Sequence, residues 1–479
     1  MRTIKDLYLN SMKKFKKNNM FTDGTTFEEG HLEVMKIVTF LISEGISKND
    51  NIACHAITRK ELLYLYWATQ LLGCSYTSLD PMLPKSSIEK ILEKLKPKYI
   101  YSDTETFENY KNIDILNIHV TNINIDIPIV NVNENDASLI IFSSGSTGNP
   151  KGIVLPHNTL YRSAEITSKT YELTENDILL SINEINLITT MKNLGFMGLY
   201  SGCTLAFRGS ALNPLDLINS IEDQKVTIMT ANPAFIKKLN LYSKKIKKEK
   251  LNSLKHIFSG GDILSKEETL LFYKNYNIKV FNTYGQTETV GVIISNKEDI
   301  FTLAAGCLGV SNGAEITIIN GEIACKDLKP LYYISNDNKE LRIHNDWLLT
   351  GDLAFKNKDN IYEFKSRKDF VLKNLKGEDL YPKEIEDIIS LNSSVTESCI
   401  VNYKYPSKKV VLVLALVIIP GSSQENVEEE IRSNIRINSG ESNVPTKFIY
   451  FNNLDKIHKI KLNRKSIEGR VKEIIDNER

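Results

Sequence analysis

The sequence predicts an α/β protein of more than one domain, and three observations predict it. A chain of 479 residues exceeds the size at which one hydrophobic core stops growing, which points to two to four domains. Between residues 30 and 95, helical patterns alternate with short apolar runs (HLEVMKIVTFLISEG, NIACHAI, RKELLYLYWATQLLGCSYTSLD), the pattern of βαβ units and a parallel sheet. Strand and helix patterns alternate again over the last ~110 residues, a length that suits a small α/β domain.

Taken in order, the elements are legible from period and punctuation. Leu32, Val34, Ile37, Val38, Leu41 and Ile42 fall mostly at helical spacing and are expected in the core, with Gly45 as the stop. SLDP at 78–81 precedes a helix from about Ser86, and the Asn-, Asp- and Ile-rich stretch 104–135 reads as a polar connection without chemistry. Leu139 to Phe142 form a buried strand. A helix over about 158–171, the strand DILLSIN and a glycine-bearing helix ending in GLYSGCTLAF follow. KVTIMTANP and LKHIFSGGD read as strands, the second ended by Gly260 and Gly261. Residues 306–325 form a small β-rich subdomain with turns at Asn312-Gly313 and Asn320-Gly321, and NKDN at 357–360 is a hairpin turn.

Bulk properties exclude several classes. Sixty basic residues stand against fifty-nine acidic ones, a net charge of +1, so no global field points to nucleic acid or membrane. Six cysteines lie scattered without a CxxC pair and seven histidines form no ligand cluster, so buried, reduced thiols are expected. The first residues carry no apolar stretch after their charges, and the longest apolar run, near 410–419, falls short of the ~20 residues of a membrane span. A cytoplasmic, small-molecule protein is expected.

The stretch with the most chemistry is LIIFSSGSTGNPKGIVLPH at 139–157. After the strand, Gly145, Gly148 and Gly152 allow amide N–H groups to approach an anion. Ser143, Ser144, Ser146 and Thr147 add hydroxyl donors, and Lys151 adds a point charge. The spacing is not that of the Walker loop.

This run resembles the signature loop of the adenylate-forming superfamily, which includes acyl-CoA synthetases, peptide-synthetase adenylation domains and luciferases. Further motifs occur downstream in family order, so the resemblance extends from about residue 25 to 468. In KVFNTYGQTETVG, Asn282, Tyr284, Gly285, Thr287 and Glu288 match the pattern. The resemblance implies that the tyrosine stacks on adenine, the threonine touches the α-phosphate and the glutamate holds Mg²⁺. A carboxylate is the hard oxygen ligand that Mg²⁺ prefers. Gly260 and Gly261 are implied to lie along the adenine and the acyl pocket. Asp352 of TGD is implied to bind the ribose hydroxyls, as an acceptor-only carboxylate can, and Arg367 to reach ribose and phosphate. Asp369 matches the family hinge. Ser366, Phe370 and the Lys376-Gly377 insertion depart from the usual pattern. Lys461 has the spacing to Arg464 of the catalytic lysine, although Ile460 replaces the usual glycine and Lys459 stands close by.

What the resemblance implies for the whole chain is a large N-terminal ATP- and acid-binding domain of packed sheets and helices (1–365). A small mobile C-terminal α/β domain (366–479) carries the lysine, with the site in the cleft between the two. A carboxylic acid is implied to attack MgATP, releasing pyrophosphate. The acyl-AMP then passes its acyl group to the thiol of coenzyme A or of a carrier-protein phosphopantetheine acting in trans. An amino-acid adenylation enzyme, a non-thiol acceptor and a non-catalytic ATP-binding relative are the alternatives. Relatives that activate α-amino acids usually carry an aspartate before the GLYSG segment. Residues 186–198, NLITTMKNLGFMG, contain no acid. Leu187, Ile188, Met191, Leu194, Phe196 and Met197 are expected to form an apolar wall with Thr189, Thr190 and Asn193 as neutral polar groups. A fatty or aryl acid is therefore expected, with Glu184 just upstream as the competing ammonium partner.

Overall fold

The structure is a computed structural model that describes residues 2–118, 130–143, 151–209, 213–335, 340–407, 409–457 and 461–478, without the side chains of Ser143, Ile457 and Lys461. The chain divides into two compact units: Met1–Thr317 with Ala324–Thr350 and Lys356–Tyr362, and Ile318–Ile323 with Gly351–Phe355 and Glu363–Arg479. Asp352 thus belongs to the second unit.

In the first unit, the predicted alternation produces a seven-stranded sheet. Its order is Tyr332–Ile334, Lys151–Pro156, Ala137–Ser143, Ser75–Leu79, Asn51–His55, Tyr99–Ser102 and Lys111–Asn112. The strands from Ser75, Asn51 and Tyr99 pair in parallel, as crossover helices require. Lys151–Pro156 turns back antiparallel on Ala137–Ser143, with Gly152 opposite Phe142. Gly152, read from sequence as part of the anion loop, is therefore a strand residue. A second seven-stranded sheet runs Val310–Ser311, Gly291–Ser295, Lys279–Gln286, His256–Ser259, Ile228–Ala231, Ile178–Ser181 and Thr204–Ala206.

Strand alternation sorts the core into layers. Cys54, Leu139 and Ile141 of the first sheet share one buried cluster with Leu179, Ile228, Phe258 and Phe281 of the second. Ala53, Ile140 and Val154 face the helix Lys85–Leu95, and Leu180, Met229, Ile257 and Val280 form the outer cluster of the second sheet. The helix Lys60–Leu71 lies within the shared cluster, buried from Leu62 to Leu71. The helix Phe27–Ser43 is closed by a capping box between Thr26 and Glu29. Leu32 and Ile42, expected in the core, are exposed on it, because a helix facing one core buries only one stripe.

The second unit is built on the strands Val395–Lys404, Val410–Ile418 and Lys447–Tyr450. The apolar run near 410–419 is a strand covered on both faces. Leu412, Leu414 and Leu416 meet the helices Pro382–Ile389 and Gln424–Ser439, whereas Val411, Val413 and Ala415 meet Arg464–Asn477. No described helix is long and apolar enough to cross a membrane.

Candidate active site

The motif at 279–291 folds as a strand, a tight turn and a returning strand. Lys279–Gln286 pairs antiparallel with Gly291–Ser295, with a register shift at Tyr284/Gly285, the kind of bulge that re-aims side chains beside active sites. A Cβ at Gly285 would lie 1.5 Å from the Gly291 carbonyl oxygen, so no other residue fits there. The turn between is pinned from inside. Gln286 N donates to Thr289 Oγ1 at 3.0 Å, and Val290 N to the Thr287 carbonyl at 3.1 Å. Val290 is held at φ +54°, a conformation that costs a β-branched residue ~1–3 kcal/mol and recurs at functional sites.

That turn presents Glu288. Its Oε1 accepts from Lys151 Nζ at 2.9 Å and from the Tyr333 hydroxyl at 3.2 Å, and Lys151 Nζ also sits 3.8 Å above the Tyr333 ring centroid. Burial first, and then the Glu288 charge, raise the Tyr333 pKa, so the phenol stays a donor. The lysine closing the anion loop and the carboxylate of the second motif are thereby brought together. Tyr333 was not legible from sequence, since it lies 45 residues beyond Glu288 in a stretch with no motif. Of the loop itself, Ser144, Gly145, Ser146, Thr147 and Gly148, like the side chain of Ser143, lie outside the described residues.

Asn282 is buried, and its amide is engaged by backbone: Nδ2 donates to the carbonyls of Leu264 (3.0 Å) and Cys307 (3.1 Å), and Oδ1 accepts from Leu264 N (3.2 Å). It therefore fastens the chain just after Gly260 and Gly261. A Cβ at Gly260 would sit 2.8 Å from Thr283 Oγ1.

In the second unit, Asp352 is buried and pairs with Arg367 Nη1 at 3.1 Å. The two residues that the motifs direct to ribose thus lie side by side. Glu322, which no motif singled out, is buried and accepts from Gly351 N at 2.6 Å and from Lys368 Nζ at 3.2 Å. It clamps the residue before Asp352 to the one before the exposed Asp369. The backbone of Lys461 pairs with Ile457 in a two-stranded ladder; its side chain and all of Lys459 and Ile460 lie outside the described residues.

The segment before GLYSG is a helix interrupted by a π turn, Ile188–Lys192, Asn193–Met197 and Gly198–Ser201. Such a turn adds a residue and swings the flanking faces apart by about 100°. Trp67 Nε1 donates to the Gly195 carbonyl at 2.7 Å. Most of the expected wall is buried, but Leu187 is exposed, at the helix start. Reading only for acids overlooked Lys192, which is completely buried. Glu184 accepts from Thr58 N at 2.9 Å and pairs with Arg208, so its charge is already engaged. None of the six cysteines forms a disulfide; five are buried and Cys307 is partly exposed, against the expectation that all would be buried. Burial pushes the Cys54 thiol up to about 11, which leaves it protonated and inert. Among the described residues no group of three or more His, Cys, Asp or Glu side chains could hold a metal by itself.

Comparisons with known proteins bear on the family and the fold. The family profile described as AMP-binding enzyme matches residues 12–324. The D-alanine--D-alanyl carrier protein ligase of Staphylococcus epidermidis is 26% identical over 427 residues, 82% of this chain and 84% of that protein. The protein of the same name from Staphylococcus haemolyticus is 27% identical over 421 residues, with the same shares. ATP-bound MatB from Rhodopseudomonas palustris has the same fold, with a TM-score of 0.88 at 17% identity over 98% of this chain and 99% of that one. So has the O-succinylbenzoate coenzyme A synthetase of Bacillus subtilis, solved with ATP and magnesium (TM-score 0.84, 20% identity, 96% and 99% covered). A profile spanning well over half of the sequence, on a fold shared almost end to end, leads to one conclusion: the chain belongs to the AMP-binding enzyme family and is an ATP-dependent, AMP-forming acid–thiol ligase.

Proposed function

We propose that this ligase activates an acid lacking an α-ammonium and charges it onto the phosphopantetheine thiol of a separate carrier protein. The observation that carries the adenylation site is Glu288, presented on a pinned turn 2.9 Å from Lys151. That carboxylate, partly buried and backed by an ammonium and a phenol, is a hard oxygen donor of the kind that suits Mg²⁺ shared with phosphates. When bound, Mg²⁺ supplies charge neutralisation along the triphosphate.

The chain's own groups do the rest. Lys151 and Thr287 orient the phosphates, Asp352 and Arg367 hold the ribose, Tyr284 stacks on adenine, and Lys461 meets the charge that builds on the α-phosphate. A substrate carboxylate oxygen bonds to the α-phosphorus, and the bond to the β-phosphate oxygen breaks, releasing pyrophosphate. The thiolate sulfur then bonds to the acyl carbon and AMP leaves with the electron pair, the thiol proton passing to solvent. Rotation at Asp369 separates the two steps.

The carrier protein as acceptor is supported by the names of the two staphylococcal relatives. Against their D-alanine stand two observations on this chain: no acid in residues 186–198, and a Glu184 already paired with Arg208. Six cysteines outside any disulfide support a reducing, cytoplasmic compartment. The test is ATP–pyrophosphate exchange over a panel of acids, followed by transfer to a phosphopantetheinylated carrier protein or to coenzyme A. Exchange strongest with an α-amino acid, or transfer to coenzyme A alone, would overturn the proposal.

A further inference from the structure

Lys192 is the one feature of this region that the ligase reading does not use. It ends the helical stretch just before the π turn, is completely buried, and its Nζ has no hydrogen-bond partner among the described residues. The Nζ lies 5.5 Å from the Tyr171 ring centroid, and 3.0 Å from where a Cβ at Gly291 would stand. Gly291, at φ +92°, thus leaves the space that the ammonium fills. Gly291 pairs with Gln286, and its own carbonyl is the group packed against Gly285. Tyr171 stacks on Phe258 with ring centroids 3.7 Å apart. On the neighbouring strand, Thr283 Oγ1 donates to the Ser259 carbonyl at 3.0 Å. Lys192 therefore stands where the 186–198 segment, the Gly260–Gly261 strand end and the Tyr284–Gly285 bulge converge.

An apolar residue would fill this space without desolvating a charge, and lysine is almost never fully buried unless paired. The next residue shares its condition in part: Asn193 Oδ1 is also buried without a partner, although Asn193 Nδ2 donates to Thr230 Oγ1 at 2.8 Å. An ammonium and an amide oxygen left unmatched on successive residues of one segment mark a place for polar ligand atoms.

Resting on the ligase reading above, we propose that Lys192 is a specificity residue, whose ammonium pairs with a second carboxylate of the acid at the end remote from the carboxyl that is adenylated. The substrate class is then a dicarboxylic acid. Burial lowers the Lys192 pKa to about 7, and a carboxylate at Nζ raises it again, so binding takes up a proton near neutral pH. An α-ammonium brought here would meet a like charge, and a fatty acid would leave the lysine unpaired.

The test is pyrophosphate exchange by the full-length protein on matched pairs, each a dicarboxylic acid beside its half-amide of the same shape. The wild type is expected to prefer the diacid by on the order of 10²-fold in kcat/KM, and Lys192→Met to reverse the ratio, chiefly through KM. Calorimetry of the wild-type protein in two buffers of different ionisation enthalpy gives a measure that needs no variant. Proton uptake with the diacid and none with the half-amide is expected. Strongest exchange with half-amides or uncharged acids, with no proton uptake, overturns the role of Lys192 and leaves the ligase standing. No exchange with any acid overturns both.

Discussion

Glu288 shares its Oε1 between Lys151 and Tyr333, so the carboxylate proposed to take Mg²⁺ is held in place by the chain itself. Removing it as Glu288→Ala should lower pyrophosphate exchange by roughly 10²-fold or more and raise the Mg²⁺ concentration that gives half-maximal rate. Tyr333→Phe, which deletes one donor at 3.2 Å, should shift the same Mg²⁺ curve by less, and an unshifted curve would show that the phenol does not position Glu288. Lys461 is tested against its neighbour. Lys461→Ala should cost roughly 10²-fold in adenylation while sparing thioester formation from supplied acyl-AMP. The reverse pattern, with Lys459→Ala as the damaging change, would assign the role to the other lysine.

At the scale of elements, His157 joins two helices. It opens the helix His157–Thr170, is fully buried, and its Nδ1 accepts from Ile4 N, the first residue of the helix Ile4–Lys14, at 3.2 Å. That contact requires an unprotonated Nδ1. Burial lowers the His157 pKa to about 4, outweighing the raising effect of Asp136 and Asp6, with Lys48 lowering it further. The unfolded chain therefore protonates first as pH falls. Stability from this group is whole above about 6.5 and is lost down to about 4, by at most on the order of 3 kcal/mol. Thermal unfolding and exchange of the Ile4 amide should both show loss over that window. His157→Gln, which keeps an acceptor, should flatten the dependence; an equally steep profile in the variant would assign the titration to another group. The Gln286–Gly291 turn makes a second test. Gly285→Ala has no room beside the Gly291 carbonyl and should impair exchange along with the bulge.

For the molecule as a whole, the two half-reactions should separate at Asp369. Asp369→Pro fixes φ, so pyrophosphate exchange should persist while net thioester synthesis collapses. Equal loss of both would show that the residue is not a hinge. Glu322 offers a control close by, because Glu322→Gln weakens the clamp on Gly351 and Lys368 without restricting rotation. It should lower both half-reactions together.

By itself the sequence determined the α/β class, the order of the elements and the family, because strand and helix periods and glycine punctuation are local. The Tyr284 to Glu288 motif and the TGD and SRKD motifs that carry Asp352 and Arg367 were legible for the same reason: each occupies a few consecutive residues. Only the tertiary structure decided which side chains meet. Tyr333 reaches Glu288 through a strand added to the edge of the first sheet, and Glu322 reaches Gly351 across 29 residues. Leu32 and Ile42 fit the helical period yet lie outside the buried stripe. Lys192 stands in an apolar run where a charge reads as surface. The π turn and the absence of a Cβ at Gly291 bring it inside, and neither can be seen without the fold, since burial depends on neighbours distant in the chain.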